Sequence, residues 1–371
     1  MTPETRSAWL NLSRIPGLGG RDVIALLEHF GTIDAIFAAR RAELAEILPE
    51  KAQTIEAILG GVDAERVGAE LRWLEEPGNH LLALGDSDYP PLLREIADPP
   101  VCLFVRGVRG VLAQPQLAIV GSRNPTPGGC LNAEAFAEAL THAGLVVTSG
   151  LALGIDGCAH RAALAAGGGT IAIAATGLDR VYPARHRELA HQIAEHGALV
   201  SEFPLGTPPR REHFPQRNRL ISGLSLGVLV VEAALPSGSL ITARLAAEQG
   251  REVFAIPGSI HSPLTRGCHQ LIRQGAKLVE TARDILEELG PLAQAANERA
   301  GAAGGGRPAA ATPLEPSMAR LLEHLGYDPV APDTLVERSG LTPEAISSML
   351  LQMELRGLIA ACPGGRYQRI C

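Results

Sequence analysis

Between residues 117 and 289 the chain alternates two kinds of apolar pattern. Short unbroken runs at 117–120, 145–148, 170–175, 199–201, 227–231, 252–255 and 277–279 read as strands. The segments 131–142, 158–166, 240–249 and 267–274 carry apolar residues at helical spacing instead. Strands that are apolar throughout and alternate with helices predict a parallel sheet covered on both faces, that is, a doubly wound α/β domain of Rossmann type. Upstream, 81–84 and 101–105 are apolar runs of strand length around a Pro-rich helical segment, and residues 1–76 read as short helices. Downstream, 290–313 is rich in Ala, Gly and Pro and predicts a flexible linker. Three helical segments (317–325, 333–338, 343–356), an apolar run at 358–360, a turn at 363–365 and a second run at 366–370 then describe a winged helix. The predicted organisation is a helical domain over 1–76, the α/β domain over 77–289, the linker over 290–313 and the winged helix over 314–371; no internal repeat is seen.

Composition bounds this picture. A chain of 371 residues with 46% hydrophobic and 20% charged residues belongs to a soluble globular protein of two or three domains. The six cysteines, at 102, 130, 158, 268, 362 and 371, show no metal-ligand spacing, so neither zinc nor any other metal is expected, and scattered reduced thiols suit the cytoplasm. The sequence has no basic leader followed by an apolar stretch, and no apolar run near the roughly 20 residues a bilayer requires, so no signal peptide and no membrane association are predicted. A net charge of −7 argues against a basic nucleic-acid protein. Arg210, Arg211, Arg217 and Arg219, set against Glu212 alone, nevertheless form a basic island. Lys51 and Lys277 are the only lysines, so a general preference for Arg accounts for much of that island.

In open parallel sheets ligands bind beyond the carboxyl ends of the strands, where helix N-termini present free N–H groups. Four segments fit that position. The first is Gly121, Ser122 and Arg123, a tight turn with a hydroxyl and a guanidinium fork suited to phosphate. The second spans 148–156, where Gly150, Leu151 and Gly154 allow close approach and Asp156 precedes a helix, with His160 one turn on. The third is 213–219, in which Phe214 offers a stacking face and Arg217, Asn218 and Arg219 offer backbone contacts. The fourth is Glu232 followed by 236–242, where Ser237, Gly238, Ser239 and Thr242 open a helix. Each has a bland explanation: tight βα geometry for the glycines, a helix cap for Asp156, structural roles for His160 and His213, and a loop anchor in Glu232. Four such segments at one sheet edge point together to a site for a polyanion or nucleotide. No Ser–His–Asp, HExxH or GxxxxGK[ST] spacing is present, so no catalytic residue and no cofactor are expected.

The motifs "IVGSR", "SGLALGIDGCAH", "FPQRNRLISGLS", "VLVVEAALPSGSLITARLAAEQGREVFAIPG" and "GCHQLI" together resemble the DprA/Smf DNA-processing family over roughly 100–290. The resemblance implies an extended Rossmann-like fold, a SAM-like helical N-terminal domain and a winged helix. It also implies a homodimer that binds single-stranded DNA, protects incoming DNA and helps load the RecA recombinase in natural transformation. On it, DNA contact falls to Gly121, Ser122, Arg123, Arg217, Asn218 and Arg219, with the 150–156 and 236–242 segments completing the pocket and Glu232 in support. Two positions depart from the family pattern. His186 follows Tyr182-Pro183-Ala184-Arg185 where "YPxxN" is usual, and His269 stands where "GCN" is usual. The turn Ile15-Pro16-Gly17-Leu18-Gly19 resembles a helix–hairpin–helix turn that could hold a phosphate or could simply be a tight turn. The segment 343–356 occupies the place of a recognition helix, but Glu344 and Glu354 suit a protein contact better than a duplex. The rival reading is a nucleotide phosphoribohydrolase-like enzyme with a PGGxGTxxE loop, but that loop's glutamate is replaced here by Leu245.

Overall fold

A computed structural model describes residues 1–289, 321–322, 324–326, 328–355, 358–362 and 364–369. The expected linker at 290–313, the start of the first C-terminal helix, Arg356 and parts of the 363–370 hairpin lie outside the described residues.

The centre is a nine-stranded sheet. Its strands are β1 (Asn79–Ala83), β2 (Cys102–Gly107), β3 (Gln116–Val120), β4 (Val146–Ser149), β5 (Thr170–Ile173), β6 (Ala198–Ser201), β7 (Gly227–Val230), β8 (Glu252–Ala255) and β9 (Lys277–Leu278). They lie in the order β1-β2-β6-β5-β4-β3-β7-β8-β9. From β6 to β9 every neighbouring pair is parallel, whereas β2 runs antiparallel to both β1 and β6. β3, β4, β5, β6 and β7 are buried along their whole length, which is why they read as unbroken apolar runs.

Helices cover both faces. Pro127–His142 and Ile155–Ala165 follow β3 and β4, while His213–Leu224 and Gly238–Glu248 flank β7. The first begins where its sequence says it should: Thr126 accepts from the Gly129 N–H at 3.0 Å and Pro127 takes the first turn, where a missing N–H costs nothing.

The N-terminal region is helical, as expected, and its Trp9, Leu10 and Leu12 belong to the same core as Leu82, Leu103 and Leu199 of the sheet. In the 15–19 turn, Gly19 N–H is taken by Asp22 at 2.7 Å, so a carboxylate already sits where a phosphate would bind. Helices Pro332–Ser339 and Pro343–Leu355 and the hairpin Ile359–Cys362/Arg366–Arg369 close around Leu335, Ile346, Leu350 and Met353. That is the winged helix. Its hairpin reaches the α/β domain, where Gly128 N–H donates to Gln368 Oε1 at 3.4 Å.

One composition-based expectation fails. Cys130 and Cys158 are not free thiols but a disulfide, because the first turns of two packed helices bring their Cα atoms within 5.7 Å. Among the described residues no group of His, Cys, Asp and Glu could hold a metal, and no helix is long and apolar enough to cross a membrane.

Candidate functional site

The strand order reverses between β3 and β7, with β4, β5 and β6 on one side and β8 and β9 on the other. Loops leaving the carboxyl ends of β3 and β7 therefore diverge and open a crevice. A cleft of about 670 Å³ lies there.

One wall is Gly121, Ser122 and Arg123. The exposed Arg123 guanidinium stands 5.4 Å from the Phe214 ring centroid and makes no ion pair among the described residues, so its charge is free for a ligand. The opposite wall is Ser237, Gly238, Ser239 and Thr242, the first turn of helix Gly238–Glu248. Ser237 Oγ caps Ser239 N–H at 3.3 Å, and the turn carries the positive end of the helix dipole. Asn218 Nδ2 donates to Gly238 O at 3.4 Å and ties this wall to the cleft floor.

The floor is built on helix His213–Leu224, and here the sequence reading needs correction. The sequence places 213–219 in a strand-end loop whose two arginines flank Asn218 and act together. Residues two apart on a helix point about 200° apart. Arg217 points into the domain, where it is 5% exposed and donates to Gly150 O at 2.7 Å. Burial lowers its pKa to about 10, although Asp156 opposes the shift. Arg219 points away from the cleft and pairs with Glu202 and, at 3.5 Å, with Asp98. It lines a separate cavity beneath the N-terminal helices.

Asp156 does not cap its helix. Its Oδ2 accepts from Gly150 N–H at 3.1 Å and Ala152 N–H at 3.2 Å, drawing the 150–154 loop around it. Burial raises its pKa, against the pull of Arg217. Gly150, Leu151 and Gly154 stand behind the cleft rather than in it. A β-carbon at 150 would fall within the Arg217 guanidinium, and Gly154, at φ 81°, seats its Cα against Ser122 O. Leu151 holds φ 58°, and its carbonyl accepts from His186 Nδ1 at 2.9 Å.

His186 is thus the side chain that replaces the family asparagine, and it anchors a loop. His269, the other departure, donates from Nε2 to Gly258 O at 2.9 Å. His160 is structural. Thr170 spends its one hydroxyl proton on Val147 O at 2.6 Å, so His160 Nδ1 carries the proton in their 2.7 Å bond. Burial drives its pKa down to about 3. Glu232 lies outside the cleft and accepts from the Thr126 N–H at 2.9 Å and the Thr126 hydroxyl at 2.6 Å, which fixes the start of helix Pro127–His142.

Two lining residues with chemistry suited to a nucleic acid escaped the sequence reading. Tyr182 is 49% exposed at the rim, its ring 5.7 Å from Phe214 in edge contact. Arg211 also lines the cleft, and its membership in the basic island was the available signal.

The chain resembles known proteins on every comparison. The family model for DNA recombination-mediator protein A matches residues 80–290, and that for the DprA winged helix domain matches 306–365. Protein Smf of Escherichia coli is 42% identical over 98% of this chain and 96% of its own. DNA processing protein DprA of Streptococcus pneumoniae is 49% identical over 55% of this chain and 72% of its own. The X-ray structure of the Streptococcus pneumoniae protein superposes with a TM-score of 0.66 at 39% identity, covering 76% of this chain and 97% of that one. A Helicobacter pylori DNA processing protein A structure, described for its single-stranded DNA binding mode, gives 0.52 at 30% identity, covering 57% and 95%.

Proposed function

The chain belongs to the DprA/Smf DNA-processing family, and we propose that its switch-point cleft holds the backbone of single-stranded DNA. One observation carries this reading: an exposed Arg123 with no ion pair among the described residues faces a serine-lined helix N-terminus across the cleft, with aromatic rings at the rim. Arg123 and Arg211 neutralise phosphates, the 237–242 turn supplies N–H groups and hydroxyls, and Phe214 and Tyr182 take bases on their faces. Arg217 lines the cleft while fixing the 150–156 loop through Gly150 O, and Arg219, already paired with two carboxylates, is left out of the contact set. The likeness to the Helicobacter pylori protein supports single-stranded DNA as the polymer.

The cleft is read as a binding site and not an enzyme's. The loop that carries a glutamate in nucleotide phosphoribohydrolases has Leu245 at that position. Asp156, the carboxylate in the cleft lining, has one oxygen committed to two backbone N–H groups and lies beside Arg217. Incubation with nucleoside monophosphates should release no free base.

The reading extends to a cytoplasmic homodimer that protects incoming strands and helps load RecA during natural transformation. The family's description as a recombination mediator supports that hand-over. The test is oligonucleotide affinity against salt for single and double strands. Affinity should fall steeply with salt and favour single strands, and Arg123→Ala should lower the log–log slope by about 0.7. An unchanged slope and affinity in Arg123→Ala would overturn the assignment.

A further inference from the structure

Cys130 and Cys158 occupy equivalent places. Each is the fourth residue of its helix, Pro127–His142 and Ile155–Ala165, and each helix is entered from a loop that builds the cleft. Their Cα separation of 5.7 Å lies in the range a disulfide needs. Apart from this bond, Ser122 O accepting from Ile155 N–H at 3.1 Å and the close seat of Gly154 on Ser122 hold the two loops together.

The pair is also placed for chemistry. Cys130 is half-buried and within reach of a small oxidant, whereas Cys158 is buried beneath it and receives Arg161 Nη2 at 3.5 Å. Cys102, Cys268 and Cys362 differ, being buried singly, with burial pushing each thiol's pKa up, to about 12 for Cys268.

We propose that Cys130–Cys158 is a reversible thiol-oxidation site, closed by hydrogen peroxide and opened by a dithiol, whose bonded form locks the Gly121–Arg123 wall to the 150–154 loop behind it and tightens oligonucleotide binding. In the closing reaction the Cys130 thiolate attacks the peroxide O–O bond, leaving a sulfenic acid and hydroxide, which is protonated to water. Cys158 then attacks that sulfur, and the S–O bond breaks to release a second water. One peroxide and two thiols give one disulfide and two waters. In the opening reaction a dithiol of the thioredoxin type is oxidised in exchange.

The affinity part rests on the single-stranded DNA reading, so the experiment has one arm free of DNA. The full chain is reduced with dithiothreitol or treated with hydrogen peroxide, and the bridged peptide is identified by its loss of two hydrogens. Amide exchange over 121–126 and 150–156 is then followed in both states, and binding of an oligothymidylate is measured in parallel. Slower exchange and about three- to tenfold tighter binding in the oxidised chain are expected, with both differences absent in Cys130→Ser and in Cys158→Ser. Failure of the bridge to form, or equal exchange in the two states, overturns the inference even if DNA binds. Slowed exchange with no DNA binding in either state supports the wall-locking half, sinks the affinity half, and overturns the proposed function.

Discussion

The Arg217 guanidinium occupies the space that a β-carbon on residue 150 would fill, while donating to the Gly150 carbonyl at 2.7 Å. A buried cation thus rests on a bare backbone, and Asp156 holds the same loop through two N–H groups. The glycine is required here by volume, and the arginine holds the loop at the cleft lining.

Gly150→Ala should therefore destabilise the protein by about 2–4 kcal/mol, since the new methyl displaces a buried charge from its acceptor. In an Arg217→Ala background the space is open, and the same substitution should cost below about 1 kcal/mol. A double-mutant cycle from urea unfolding measures the coupling. Additive costs would show that the two residues do not compete for one volume.

Arg123 and Arg219 should separate binding from stability. Arg123→Ala removes a surface cation that makes no ion pair among the described residues and should leave the melting free energy within about 0.5 kcal/mol, while weakening oligonucleotide binding. Arg219→Ala strips Glu202 of its buried partner and should cost roughly 3 kcal/mol with the salt slope of binding unchanged. Calorimetry and fluorescence titration at three salt concentrations decide it. A reduced slope in Arg219→Ala would return that residue to the DNA site.

The different behaviour of these two arginines marks where sequence reading stops. Strands such as Gln116–Val120 were legible because burial on both faces leaves an unbroken apolar run, and the first and fourth segments were legible because a glycine turn or small-residue loop follows a strand. Helix His213–Leu224 was not legible: its His-Phe-Pro-Gln-Arg-Asn-Arg start lacks an apolar stripe, because it buries Arg217 and Asn218 in place of leucines. Reading it as a loop aligned two side chains that the helix sends apart. Tyr182 was missed because its contact with Phe214 joins residues 32 positions apart through the fold alone. The Cys130–Cys158 bridge went unseen because spacing along the chain does not reveal which helix turns pack together.

Tyr182 and Phe214 form one aromatic surface, with rings 5.7 Å apart and Arg123 over the second. Base stacking on such faces is worth about 1–3 kcal/mol per base and depends little on base identity. Tyr182→Ala should thus weaken oligothymidylate and oligoadenylate alike, by roughly tenfold, without changing the salt slope. Since Tyr182 is 49% exposed, its melting temperature should stay near the parent's. A loss confined to one base would mean hydrogen-bond readout in place of stacking.

Stability should fall as pH rises from about 4.5 to about 7, through Glu202. Burial raises its pKa from the ordinary 4.5 to about 7, with Arg219 pulling the other way. In that window the folded carboxyl keeps a proton that the unfolded chain has released, so folding takes up protons and becomes less favourable as they grow scarce. The contribution is fully present below 4.5 and gone above 7, a difference on the order of 3 kcal/mol. Glu202→Gln keeps the shape, leaves Asp98 to Arg219 and cannot titrate. The stability gap between parent and variant should then shift in the variant's favour across this range, read from urea midpoints at pH 5, 6, 7 and 8. Parallel curves would place the charge on Glu202 throughout and give the pair with Arg219 the upper hand over burial.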